Sequence, residues 1–327
     1  MRKFLAPPAL AALVVLAVAA GACGRGSSGP QASGGGVATS ARASAPSASP
    51  QFPLTIADDD GVEVTLDAAP TRIVTFAPSA TEVVFALGLG DEVVGVSGKF
   101  DDTPPAARRI PEVGGAGEFG VDPNVEKVVS LNPDVVLTIE GGDQWKARLR
   151  DLGIPVFTTD STDLDDVLHD IVTVGRVTGA TTAAERVVAR MRAGADAVKQ
   201  AVASEQPVTC FFEVSFQPLY TVGPGSFIYD LLQRAGCDPV TADAKDAYPQ
   251  WSVEELVRDD PDVYLVSSES GGTVSQVERR PGYDALSAVR DHRVYPVDSD
   301  LVSRAGPRVV AGLRALAEAL HPDVAGM

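Results

Sequence analysis

The chain is expected to fold as an α/β protein of two Rossmann-like lobes joined by a single long backbone helix, and three observations carry that expectation. Residues 125–137 (VEKVVSLNPDVVL) recur without a gap as residues 253–265 (VEELVRDDPDVYL), agreeing at Val, Glu, Val, Pro, Asp, Val and Leu. Glu82 is followed six residues later by Gly88, and Asp230 six residues later by Gly236, so each lobe opens with an acid in the first turn of a short helix that closes at a glycine. Short β-branched runs then alternate with helical patterns, the order that gives parallel strands joined by right-handed crossovers.

From the amino terminus, Arg2 and Lys3 precede an apolar run over 10–20 that is too short to span a bilayer and reads as part of a signal peptide, 1–22. Ala20-Gly21-Ala22-Cys23 then places a cysteine directly after small residues, as a bacterial lipobox does, though with Ala20 where leucine is usual. Lipidation of Cys23 is therefore expected, with plain secretion as the alternative. Residues 23–51 are almost entirely Gly, Ser, Ala, Pro and Thr. They lack the apolar groups that would offset ordering and should form a tether reaching on the order of 30 Å.

A hairpin over 54–66, turning at Asp58-Asp59-Asp60-Gly61, opens the amino-terminal lobe, 52–180. Strands are expected there at 73–76, 93–96, 135–138 and 156–158, and helices at 80–87, 124–131, 144–152 and 163–177. Within the linker 181–205, Ala184, Val187, Val188, Met191, Ala195, Val198 and Val202 share one face of a helix over 182–203. At 1.5 Å per residue that helix is a strut of roughly 30 Å, and so stiff a connection predicts little closure on ligand binding. The carboxyl-terminal lobe, 206–327, repeats the theme with strands at 210–212, 263–266 and 294–297 and helices at 227–235, 253–258 and 307–320.

A formal net charge of -17 excludes nucleic acid and an anionic membrane surface as partners. If Cys23 is lipidated, Cys210 and Cys237 remain as an even pair in an oxidising compartment, either bonded or as two buried thiols. His169, His292 and His321 are scattered, so no resident metal or other cofactor is expected.

SATE at 79–82, NVEKVVSLNPDVVL, PLYTVGPGSF at 218–227, YPQWSVEEL at 248–256 and SRAGPRVVAGL at 303–313 together resemble the substrate-binding proteins of ABC importers for ferric siderophores, haem and cobalamin. The resemblance covers nearly all of the chain after residue 70. It implies a monomeric, lipid-anchored, extracytoplasmic body that holds a bulky chelate in a cleft between its lobes. That body would deliver the chelate to a permease dimer with its ATPase, with no chemistry done on the ligand. It also implies one carboxylate per lobe offered to permease arginines, and the positions taken to match are Glu82 and Asp230. Glu82 has a competing reading, as the N3 residue of a capping box begun by Ser79.

The cleft is expected at the carboxyl ends of the strands. Its candidate lining is Phe100, Phe119, Trp145, Phe216, Tyr220, Tyr248, Trp251 and Arg304, since aromatics are only 6% of residues yet gather in expected loops. Arg304 and Arg308 flank Pro307 at a helix start, where cations oppose the macrodipole unless something anionic sits there. YPQWS and PLYTVGPGS are similar to the cobalamin-binding members, but Ile139 and Leu301 stand where those often carry tryptophan, so cobalamin and ferric siderophore both stay open. A sensor of the same fold is one alternative function. An enzyme with two dinucleotide-binding halves, suggested by GAGEFG at 115–120, is another, but no acidic residue on a following strand completes that pattern.

Overall fold

Residues 51–114 and 123–326 are described by the computed structural model, and all lie within one compact unit, Pro46–Met327. Strands β1 (Leu54–Ala57) and β2 (Glu63–Leu66) form the expected hairpin. Its turn docks through its aspartates: Asp60 meets the fully buried Lys146 at 2.9 Å, and Asp58 meets Arg150 at 3.2 Å.

In the amino-terminal lobe, β3 (Ile73–Phe76), β4 (Val93–Val96), β5 (Val135–Ile139) and β6 (Val156–Thr159) form a parallel sheet in the order β4-β3-β5-β6. Helices α1 (Pro78–Ala86), α2 (Val125–Ser130), α3 (Asp143–Asp151) and α4 (Leu164–Val177) belong to this lobe. Helix α5 (Thr181–Val202) then leads to the second lobe.

There β7 (Val208–Glu213) is followed by a small hairpin, β8 (Ser215–Phe216) and β9 (Leu219–Tyr220), then by α6 (Phe227–Arg234) and β10 (Cys237–Pro239). Next come α7 (Val253–Asp259), β11 (Val263–Ser267), α8 (Val274–Val277) and α9 (Ser287–Arg290). Strand β12 (Val294–Val297), α10 (Ser299–Val302) and α11 (Val309–Leu320) complete the lobe.

The second parallel sheet runs β10-β7-β11-β12, which is the order of the first sheet repeated. In each, the chain leaves the first strand to one side and returns on the other, so the topological switch points, where ligands bind in open α/β sheets, lie at the carboxyl ends of β3 and β5 and of β7 and β11. The equivalent helices α1 and α6 both end at a left-handed glycine, Gly88 (φ 83) and Gly236 (φ 87).

Helix α5 packs on α4 of one lobe and α11 of the other. Close approach explains its fit: a Cβ on Gly175 of α4 would overlap the Ala184 methyl, and one on Gly194 would stand 2.6 Å from Val310. The β7 and β10 strands pair in parallel, and a disulfide joins Cys210 to Cys237 across them with a Cα separation of 5.9 Å.

Candidate ligand-binding cleft

The crevice of the second lobe is built around a buried charge. Glu213 ends β7 with no exposed surface and is gripped by both Nη atoms of Arg280, Nη2 to Oε1 at 2.9 Å, while the Tyr264 hydroxyl donates to Oε2. Burial alone would lower the Arg280 pKa, but its bonds to Glu213 hold it above its ordinary value. Burial and then the Glu213 charge push the Tyr264 phenol well up. The guanidinium carbon lies 3.5 Å from the centroid of the Phe216 ring, which meets Tyr283 edge-on. Above this stack is a recess of about 360 Å³ lined by Ser215, Phe216, Gln217, Ser270, Gly271, Gly272, Gln276 and Arg280, between the loops that leave β7 and β11.

On the adjacent edge of the first lobe, Ile139 at the end of β5 is 43% exposed and Glu140 follows it. The loop after β4 presents Phe100, 45% exposed, with Lys99 Nζ 4.8 Å from its ring centroid. Asp101 pins that loop by accepting from the Gly98 amide at 2.9 Å and from the Ser97 and Thr81 hydroxyls. Tyr248 of the second lobe is 51% exposed, and crowding by the surrounding protein, then the Glu140 charge, raise its phenol pKa. Asp102, in the same loop as Phe100, lies 3.6 Å from Arg304 of the second lobe, so the two edges are adjacent.

Beside these edges the lobes are joined by ion pairs that use the two repeated acids. The Glu82 carboxylate, 4% exposed, accepts from Arg308 Nε at 2.8 Å and Nη2 at 2.6 Å and from Arg304 Nη1 at 3.3 Å. Arg304 also reaches Asp300 at 2.6 Å and Asp102 at 3.6 Å. These bonds raise the Arg308 pKa, and the anion expected at the α11 start is thus Glu82 itself. Both sequence readings of Glu82 are corrected. Helix α1 starts at Pro78 with Ala77 as an N-cap that makes no side-chain bond, so no capping box forms, and a carboxylate so enclosed cannot meet an external arginine.

Asp230, partly exposed, already has partners within the protein. Its Oδ2 accepts from Arg234 Nε at 2.7 Å and from the Leu164 amide of the other lobe at 3.1 Å, and Arg234 adds Asp165 at 2.8 Å.

Of the remaining sequence candidates, Trp145 is a core residue at 7% exposure, edge-on at 5.2 Å to Phe76, the last residue of β3. Tyr220 and Trp251 are half-buried beside the crevice, Trp251 being packed on the core beneath α7 and β11. Arg304 lies in the seam, 11% exposed. Phe119 and Cys23 fall outside the described residues. Gly271, Gly272, Gln276 and Arg280 were not expected, because an acid and an arginine 67 residues apart carry no local signal.

Glu126 and Glu254, which the repeat aligns, were not among the sequence candidates. Both are exposed in the first turns of equivalent helices, capped by Asn124 and Ser252, at the strand ends where the cleft opens. Among the described residues no group of His, Cys, Asp and Glu could hold a metal ion, and no helix is long and apolar enough to cross a membrane.

A profile of the family described as "Periplasmic binding protein" matches residues 73–301. The chain is 36% identical over 281 residues, 83% of its length and 87% of the relative's, to the uncharacterized ABC transporter substrate-binding lipoprotein YvrC of Bacillus subtilis (strain 168). It is 34% identical, over 83% of its length and 74% of the relative's, to a cobalamin-binding protein of Halobacterium salinarum. Among solved structures, the Fe3+-hydroxamate transport system protein of Saccharomonospora viridis superposes with a TM-score of 0.69 at 28% identity, covering 83% of this chain and 100% of that one.

Proposed function

Because the chain belongs to the periplasmic binding protein family, we propose that it is the substrate-binding protein of an ABC importer, taking ligands of the cobalamin, haem or siderophore type. More finely, it captures a bulky metal chelate, a ferric siderophore or cobalamin, and passes it unchanged to a permease. The observation that carries this reading is the recess at the strand ends of the second lobe, beside the ion pairs that join it to the first lobe. A recess so placed, with the edge of the other lobe next to it, can hold a rigid ligand from two sides.

The body is proposed to be monomeric, exported, and anchored by lipid at Cys23, with residues 24–51 as the tether. Docking is assigned to Glu126 and Glu254. They are exposed, symmetric through the repeat, and lie at the end of each lobe where the cleft opens, so a permease bound to them would sit over the ligand's exit.

The test is uptake of the bound chelate by cells that carry the Glu126→Lys, Glu254→Lys double variant. Uptake should fall at least about tenfold while chelate affinity stays within about twofold of wild type, as expected for reversed charges at an exposed docking surface. Undiminished uptake with affinity intact would contradict this docking assignment and favour a sensor of the same fold.

A further inference from the structure

The recess between β7 and β11 indicates what kind of chelate the cleft takes. Its floor is a cation whose charge is already matched, since Arg280 gives both Nη atoms to the fully buried Glu213. A guanidinium has five N–H groups, so hydrogens remain to donate, but the pair as a whole is neutral. A carboxylate entering the recess would surrender its hydration and meet the Glu213 charge at short range in a poorly screened place. A carbonyl oxygen would gain the same hydrogen bond without that repulsion.

The rest of the cleft repeats the pattern. Arg304 is surrounded by Glu82, Asp102 and Asp300, and Arg308 is spent on Glu82. On the adjacent edges Lys99 is an exposed cation, but Glu140 and Glu269 are exposed anions.

We propose that this recess takes an uncharged carbonyl-bearing arm, a carboxamide or hydroxamate, hydrogen-bonded by Arg280 beside the Phe216 ring, and that the ligand is a chelate without net negative charge. The proposal rests on the cleft being a ligand site. Gly272 is the position that keeps the recess open against the guanidinium, because a Cβ there would stand 2.7 Å from Arg280 Nη2.

The experiment is calorimetry on the purified full chain in detergent with four probes: cyanocobalamin, fringed by carboxamides; ferrioxamine B, a hydroxamate; haem, with two propionates; and the trianionic tricatecholate ferric enterobactin. One of the first two should bind at least about 100-fold more tightly than either of the last two. Gly272→Ala should weaken that ligand about tenfold while circular dichroism reports an unchanged fold. Tightest binding by haem or ferric enterobactin overturns the inference and leaves the receptor reading standing. Unchanged affinity in folded Gly272→Ala overturns the assignment of the recess, and failure of all four probes overturns both readings.

Discussion

Glu82 shows how a residue can be legible in a sequence for its symmetry and illegible for its role. Its spacing to Gly88 matched that of Asp230 to Gly236, but the arginines that claim it lie 222 and 226 residues away. Removing one partner of a buried carboxylate is costly because the charge left behind is underpaired. Arg308→Ala should lower stability by about 2 kcal/mol, less than a full buried-pair deletion, because Arg304 remains and Arg308 is itself 31% exposed. Urea denaturation measures this, and an unchanged midpoint would mean that the seam contributes nothing.

Asp170 offers a pH test. Burial, the largest influence, pushes its carboxyl up to about 6, against the hydrogen bond from Ser161. A carboxyl with a raised folded-state pKa keeps its proton in the folded protein after the unfolded chain has lost it. Its contribution to stability is therefore lost as pH rises from about 4 to about 6, by on the order of 2 kcal/mol. Asp170→Asn should flatten that fall, and melting curves across the range would expose a slope that persists.

At the scale of elements, long runs with clear periodicity were legible and short ones were not. Strand β11 is buried on both faces and α5 carries a clean apolar stripe, so each was expected to within two residues at either end. Strand β10 is only Cys237–Pro239, and its three residues become a strand by lying beside β7, which no local pattern announces. The β8–β9 hairpin and α8 to α10 were missed for the same reason, being two to four residues long. The burial of Trp145 was not legible, because it begins a helix after a loop and only the packing of that helix sets it against Phe76.

The disulfide ties β10 to its neighbour across a sequence separation of 27. In the chain-entropy estimate closing such a loop stabilises the lobe by about 3 kcal/mol. Reductant, or the paired Cys210→Ser and Cys237→Ser substitutions, should lower the melting temperature accordingly. Equal melting with and without reductant would show the link to be energetically idle.

At the scale of the whole molecule, duplication was the most legible feature, because a repeated α/β unit imposes a repeated topology. The orders β4-β3-β5-β6 and β10-β7-β11-β12 are the same path traced twice. The cleft's place at the strand ends follows from that path, whereas its charge balance does not. Pairing of Arg280 with Glu213, and of Arg304 and Arg308 with Glu82, depends on tertiary approach and became visible only in the folded chain.

The central claim is that this cleft binds a metal chelate. Quenching of Trp145 and Trp251 fluorescence in the full chain, corrected for absorption by coloured ligands, should saturate at one chelate per chain with micromolar or tighter affinity for at least one of cobalamin, ferric hydroxamate, ferric catecholate or haem. No response to any of the four, with calorimetry equally silent, would contradict it.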